Sequence, residues 1–452
     1  MIKQKTSASL AWLSTSRGKS VVTVWLIVLL MSGQGFRFLL GLPAFGVLVA
    51  LTIAAVVLSF RTPWGKLKIP HVLMAFVGLA VLSIGWSATR PVTILASLVM
   101  VLTTYVAVVT VRGHSNVRFM ELLYRGLQIS LLGGLLFELV VATLYRSDVF
   151  PVVNDLTSIA GTSPDPWSEN NLFAGGPIQG FVGNRNPFGA IALFTAIVAF
   201  ILMLEKRISR TDALLTLAAA GAVHLLTMSA TVSASAIYIV VLAVAGLIIR
   251  AAPASLKRVL SFTVLGCTAA VAILTLKYRD LIFGLFDRGG DVTNRTELWH
   301  EVIAYAMQRP EGWGFVGYWP VWESPYKNIV DDTGVFATHA HNAYLDSWLQ
   351  LGLIGLALII VIVVLLFGST WRLVERAGRG DTFIPLGWAM LTGAMAIQAL
   401  TESRMLVEGG WFLLVALYCM GPQVFTLTLV DPDLVHAGTK QRIDAKIAFK
   451  EK

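Results

Sequence analysis

Between residues 20 and 428 the chain turns apolar repeatedly, in runs long enough to cross a lipid bilayer. A hydrocarbon core about 30 Å thick needs roughly 20 apolar residues of helix, and about twelve stretches meet that requirement. They are 20–35, 38–59, 71–88, 91–111, 122–144, 187–204, 213–229, 232–249, 259–277, 343–368, 384–402 and 410–428. With 56% hydrophobic and 13% charged residues, a soluble domain is excluded. The expected fold is an all-α polytopic membrane protein. Gly33, Gln34, Gly35 and Arg37 interrupt the first apolar stretch. Residues 20–59 therefore read either as a hairpin of two helices or as one span plus a re-entrant piece.

Charge sets the expected orientation. The net charge of +9 comes from short basic clusters between apolar runs, which points to membrane topology and away from nucleic acid. Placing the N-terminus in the cytoplasm puts 24 of the 35 basic residues on the inner side, among them Arg17, Lys19, Arg112, Arg118, Lys206, Arg250, Lys257 and Arg376. Both termini are then cytoplasmic: a segment 1–19, a transmembrane domain 20–428 and a tail 429–452. Polar residues through Lys19 lead into an apolar stretch without a small-residue cleavage pattern, so the first helix is expected to stay uncleaved. The two cysteines, Cys267 and Cys419, fall inside predicted spans far apart, which indicates neither a disulfide framework nor a cysteine metal site. No inverted repeat of the kind found in many transporters is evident.

Two outer segments are long, 145–186 and 278–342, the second lying between the ninth and tenth predicted helices. The second also carries a helix outside the membrane. Asn294 is placed to cap it with Glu297 at the third position, Leu298, Val302, Ile303 and Ala306 form an apolar stripe, and Arg309-Pro310-Glu311-Gly312 stops it. Such a stripe lies on the membrane surface or against the bundle.

Eleven basic residues remain on the outer side, against the orientation bias; Arg37, Arg185, Arg288, Arg295 and Arg404 are among them. A solvated charge or a salt bridge explains most loop arginines. Arg185 stands out because it lies in GFVGNRNPFGA (180–190), between Asn184 and Asn186 and just before Pro187. Proline suits a first helical turn, and the free amides of that turn together with a guanidinium make an anion site. Arg295 lies at the start of the loop helix, where pairing with Asp291 or Glu301 is the plainer role.

Residues 338–355 read THAHNAYLDSWLQLGLIG. A lone loop histidine is commonly incidental, but here a helix of about 25 residues, roughly 37 Å, starts near Ala343 and should protrude beyond the hydrocarbon. Its positive end disfavours an imidazolium at His341, leaving a ring able to accept a proton, and Asn342 can cap it. The pair His339 and His341 has no HExxH-type or cysteine partner set, so no metal is expected. Nine aromatic residues crowd this region: Trp299, Tyr305, Trp313, Tyr318, Trp319, Trp322, Tyr326, Tyr344 and Trp348. An interfacial belt or sugar stacking accounts for them. Glu138 and Glu402 are acids within or at the end of spans, where a functional role and an interhelical hydrogen bond compete. In Glu402-Ser403-Arg404 the carboxylate is placed to orient an arginine or a histidine.

The pieces GNRNPFGA, NRTELW, QRPEGWGFVGY (308–318) and HAHNAYLDSWLQLGLIG, in this order around a long outer loop, resemble the O-antigen ligase and O-antigen polymerase superfamily of bacterial membrane glycosyltransferases. The resemblance implies a glycan donor on undecaprenyl pyrophosphate, a glycan acceptor, and transfer at the outer face of the inner membrane without a metal, a nucleotide sugar or any other cofactor. By position it implies His341, Arg185 and Arg295 as catalytic residues, with Asn184, Asn186, Asn342, Arg288, His339, Glu402 and Arg404 around the substrate. Two departures stand out. The superfamily often has an arginine after serine near the seventh and eighth helices, where this chain reads MSATVSASA (228–236), and His339 beside His341 leaves the choice of base open. Polymerase and ligase differ only in the acceptor, which no feature of the sequence specifies. A transporter of a small solute or a lipid-linked glycan is the alternative, disfavoured because the candidate groups sit in outer loops and not near the bilayer midplane.

Overall fold

The computed structural model describes residues 11–61, 69–153, 166–277, 293–330 and 336–421. Arg288, the tail 429–452 and residues 1–10 of the N-terminal segment lie outside that set. The elements are α1 Ser16–Met31, α2 Gly33–Phe60, α3 His71–Leu82, α4 Arg90–Arg112, α5 Asn116–Val140, α6 Arg185–Leu204, α7 Arg210–Thr227, α8 Ala230–Ala251, α9 Ala254–Lys277, α10 Thr293–Gln308, α11 Ala343–Arg376, α12 Ile384–Gln398 and α13 Glu408–Met420. Each predicted apolar run contains a helix, residues 422–428 of the last run lying outside the described residues, and α10 is the loop helix. Six helices, α2, α4, α5 with its extension to Tyr145, α6, α8 and α11, are long and apolar enough to cross a membrane. The protein is a polytopic membrane protein.

Burial ranks the helices. In α6, 72% of the apolar window is buried, against 17% in α2, so α6 forms the middle of the bundle and α2 its lipid-facing margin. In lipid the hydrophobic effect does not drive helices together, and close approach and hydrogen bonds take over. Gly126 of α5 lets α1 in so closely that a Cβ there would stand 2.5 Å from Ile27 Cγ2. Trp411 Nε1 of α13 donates to Thr104 Oγ1 of α4 at 2.9 Å, a bond worth about 0.6 kcal/mol and rarely above about 1.7. Thr104 in turn donates to Met100 O of its own helix, so the hydroxyl is satisfied twice.

Two helices break where the sequence predicted continuity. The first apolar stretch forms two helices parted at Ser32, and the second of them breaks again at Gly41 (φ 74°, ψ 164°), leaving a short piece 33–40. The helix from Ala343 runs 34 residues, longer than expected, and breaks at Gly352 (φ 67°, ψ −167°). Only glycine reaches such dihedrals cheaply. The break frees backbone groups that the segment after α10 satisfies: Trp313 N donates to Leu349 O, Gly314 N to Gln350 O, and Leu353 N to Pro310 O.

The loop that carries α10 has its own core. Leu298, Val302 and Ala306 of α10 pack with Val316, Trp319, Tyr326, Ile329, Ala340 and Leu349. The stripe of α10 thus lies against the bundle. Several aromatics read as a belt or as sugar platforms build this core instead: Trp319 is 3% exposed, Tyr326 is fully buried, and Trp299 Nε1 and Trp313 Nε1 donate to Ala340 O and Tyr305 O. A loop of this length carries enough apolar side chains to bury them against one another.

Candidate active site

The span expected to reach residue 402 stops at Gln398, and residues 399–403 leave the helix. That early stop creates the site, because it turns Glu402 back into the bundle. Ala399 N continues the ladder to Met395 O, while Ala399 O accepts from Ala343 N at 2.8 Å and ties the end of α12 to the start of α11.

Glu402 is the hub. Its Oε1 accepts from Asn186 Nδ2 at 2.7 Å, lies 3.6 Å from Arg295 Nη2 and 3.8 Å from His341 Nδ1, and its Oε2 lies 3.7 Å from His339 Nε2. Arg295 also donates to Thr401 O at 2.7 Å, so its partners are Glu402 and the adjacent carbonyl and not Glu301. Asp291 and the side chain of Asn294 lie outside the described residues. The two imidazole rings are 4.0 Å apart. Burial pushes the Glu402 carboxyl up, but the two histidines and Arg295 hold it well below the usual carboxylate range. Burial and then the neighbouring His341 push the His339 imidazole below its ordinary value, against the pull of Glu402. A buried carboxylate therefore sits next to an uncharged imidazole.

Local structure explains how each group is aimed. Asn342 caps α11 through its side chain, accepting from Tyr344 N and Leu345 N at 3.0 and 3.1 Å, which turns His341 (φ 47°) out of the helix. Asn184 caps α6 by accepting from Asn186 N, with Pro187 in the first turn as the sequence suggested. Arg185 opens that helix, half-buried and next in sequence to Asn186. Asn186 spans two elements, donating to Glu402 and accepting from Ser229 Oγ at 2.7 Å. Ser229 and Thr231, whose Oγ1 accepts from Thr401 Oγ1 at 2.8 Å, belong to the MSATVSASA segment, so hydroxyls hold the place where an arginine was looked for. Glu138 is a clamp: it accepts from Ser168 Oγ, Gln179 N and Gly180 N and so anchors the loop that delivers Asn184 to Asn186.

Arg404 Nη2 donates to Gln34 Oε1 at 2.9 Å, and Arg37 pairs with Glu408 at 3.0 Å. Arg37 was visible in the sequence as an interruption of an apolar run and as a basic residue against the orientation bias. A cavity of about 60 Å³, open to solvent, reaches Arg404 and Glu408 from Glu402. Asn186, Glu402, Arg404 and Glu408 line its polar part, and Leu30, Met31, Ile191, Phe194 and Met395 its apolar part. The ligand atoms of His339, His341 and Glu402 lie within 4.8 Å of one another, a spacing that a cation could bridge.

Residues 215–360 match the family model described as O-antigen ligase. The resemblance carried by NRTELW and HAHNAYLDSW is thereby borne out over the stretch that holds Arg295, His339 and His341. A relative, the exopolysaccharide production protein ExoQ of Rhizobium meliloti (strain 1021), is 31% identical over 170 residues, 36% of this chain and 38% of that protein. The chain thus spans well under half the length of the curated relative it matches. Asn186 and Glu402 lie outside the matched residues 215–360, yet they close the cluster around the histidines.

Proposed function

We propose that the protein is a membrane glycosyltransferase that polymerises or ligates polysaccharide units carried on undecaprenyl pyrophosphate. The reaction takes place at the outer face of the inner membrane, in a chain of about twelve spans with both ends cytoplasmic. The observation that carries this reading is the convergence of His341, Arg295 and Asn186 on one oxygen of Glu402, beside a cavity that runs from polar to apolar. A lipid-linked sugar needs both kinds of surface.

An acceptor hydroxyl must lose its proton as it attacks the anomeric carbon, and the pyrophosphate leaves with added charge. His341 presents Nδ1 to Glu402, which leaves Nε2 to take the proton. Their 3.8 Å separation exceeds hydrogen-bond range, and contraction by less than 1 Å on substrate binding would fix the Nδ1–H tautomer. Arg295 and Arg185 stabilise the departing pyrophosphate through paired N–H contacts, each worth on the order of 100-fold in rate. Asn184, Asn342 and His339 shape the surrounding surface. Direct displacement inverts the anomeric configuration and uses neither metal nor cofactor.

The transporter reading places broken helices near the bilayer midplane. Here the breaks at Gly41 and Gly352 fall within the first third of their helices, and backbone from the outer loop fills the one in α11. That favours the enzyme. The test supplies purified protein in lipid with a panel of lipid-pyrophosphate oligosaccharides, with and without chelator. Longer or transferred glycan of inverted configuration, unaffected by chelation, is expected; unchanged donor across matched substrates would count against the enzyme.

A further inference from the structure

We infer that a second cluster beside Glu402, formed by Arg37, Gln34, Tyr318, Arg404 and Glu408, is the subsite for the acceptor sugar and selects a ring bearing a carboxylate. This rests on the transfer reaction proposed above. The cluster owes its existence to the break at Gly41, which turns the piece 33–40 away from the rest of α2 and carries Gln34 and Arg37 to the site.

The Arg37 guanidinium lies over the rings of Tyr318 and Phe45, 5.3 and 5.9 Å from their centroids, with Glu408 along one edge at 3.0 Å. Arg404 holds the neutral amide of Gln34. Arg37 takes up the Glu408 carboxylate while Arg404 meets a neutral amide, an excess of one positive charge in an aromatic-walled recess. Glu408 takes a left-handed conformation (φ 47°), uncommon for a residue other than glycine. The side chains of Arg37 and Glu408 are 18% and 20% exposed, against 12% and 11% for Arg295 and Glu402, so the second pair is the more open to a ligand. Aromatic faces, a planar guanidinium, a carboxylate and an amide are the groups that hold sugar hydroxyls, and the spare positive charge calls for an acidic substituent.

Position assigns the sugar to the acceptor side. Tyr318, under the Arg37 guanidinium, is 6.5 Å from the His339 ring and His339 is 4.0 Å from His341, so one row of rings leads from Arg37 to the base. In this chain of contacts the histidines stand between Arg37 and Arg295. That is where a base must sit if one arginine set holds the acceptor and the other the departing pyrophosphate.

The test uses the full-length protein in lipid nanodiscs and two arms. The first varies the acceptor at fixed donor, comparing an acceptor ending in a hexuronic acid with its carboxyl-reduced counterpart. Arg37→Ala is expected to raise the acceptor KM about 10-fold or more for the acidic sugar and to abolish the preference, with the donor KM unchanged. The charge-swapped double variant Arg37→Glu with Glu408→Arg keeps an ion pair and is expected to stay impaired; restoration of the wild-type KM would show a merely structural pair and overturn the proposal. The second arm needs no turnover and measures binding of a hexuronate-containing disaccharide. Selective binding that survives His341→Ala and is lost in Arg37→Ala supports the subsite even if transfer is never seen, which separates its fate from that of the reaction. Equal binding of the acidic and the reduced sugar, or none, overturns it.

Discussion

Two charged clusters close the ends of the helices in this protein, and they are built on opposite principles. Where α8 meets the segment before α12, Arg250 donates to Asp381 O and Thr382 O and lies 4.1 Å from the centroid of Phe383. Lys257 donates to Ala377 O, and Glu205 accepts from Thr382 Oγ1 and Phe383 N. Each charge there is matched by a backbone group, in the manner of a staple. Around Glu402 the contacts are looser. His341 Nδ1, Gln398 Nε2 and Asp346 Oδ2 are buried without a hydrogen-bond partner, and both histidines stand beyond hydrogen-bond distance from the carboxylate. Buried polar atoms left open are costly; others, Trp371 Nε1 and Trp388 Nε1 among them, lie along α11 and α12, while the three beside Glu402 adjoin the proposed site.

The contrast can be broken most directly at the histidine and the carboxylate. His341→Ala and Glu402→Ala are each expected to lower transfer by about 10²- to 10⁴-fold in initial rates per folded molecule, the range of a positioned general base. Arg250→Ala, measured the same way, should leave that rate unchanged; an equal loss would erase the distinction between the clusters. Next in size, Arg295→Lys should cost on the order of 100-fold, since an ammonium cannot reproduce the paired contacts of the guanidinium to a pyrophosphate. A near-normal rate would show that only charge matters there.

Stability should answer in the reverse order. Arg250→Ala is expected to remove about 1 to 3 kcal/mol, read from thermal unfolding in detergent, because two carbonyls lose a charged donor. Acidification gives the smallest effect. Folding lowers the pKa of both His339 and Glu402, so each contributes stability that is present at higher pH and lost as protons bind. The His339 share should fade as pH falls below the ordinary imidazole value of 6.5, and the Glu402 share only below 4.5. His339→Gln should remove the upper step alone; a lower step that survives Glu402→Gln would contradict the assignment.

Helices and caps were legible in the sequence because they depend on neighbours in the chain. Apolar runs located the helices, Asn342 caps α11 as its place in the sequence suggests, and Pro187 marks a first turn, whereas the cap that Asn184 makes on α6 was not read. The site was legible only as a set of outward polar residues, since what joins Asn186, Arg295, His341 and Glu402 is the early stop of α12 at Gln398. Nothing local announces that stop. Gly41 and Gly352 looked like ordinary glycines in apolar runs; their breaks depend on partners far along the chain, such as Pro310 and Trp313 for Gly352. Arg37 was recognisable as an anomaly, yet its partners Glu408 and Tyr318 lie hundreds of residues away. The aromatics were misjudged for a related reason: composition shows a crowd of rings but not that they bury one another.

The central claim is that the groups around Glu402 perform sugar transfer. Its most direct test is a single-turnover assay in lipid, with excess protein over a fluorescent lipid-pyrophosphate oligosaccharide, run side by side for wild type, His341→Ala and Arg250→Ala. The account predicts glycan transfer by wild type and Arg250→Ala at like rates and a loss of at least about 100-fold for His341→Ala with its fold intact. Transfer by His341→Ala at the wild-type rate would contradict it.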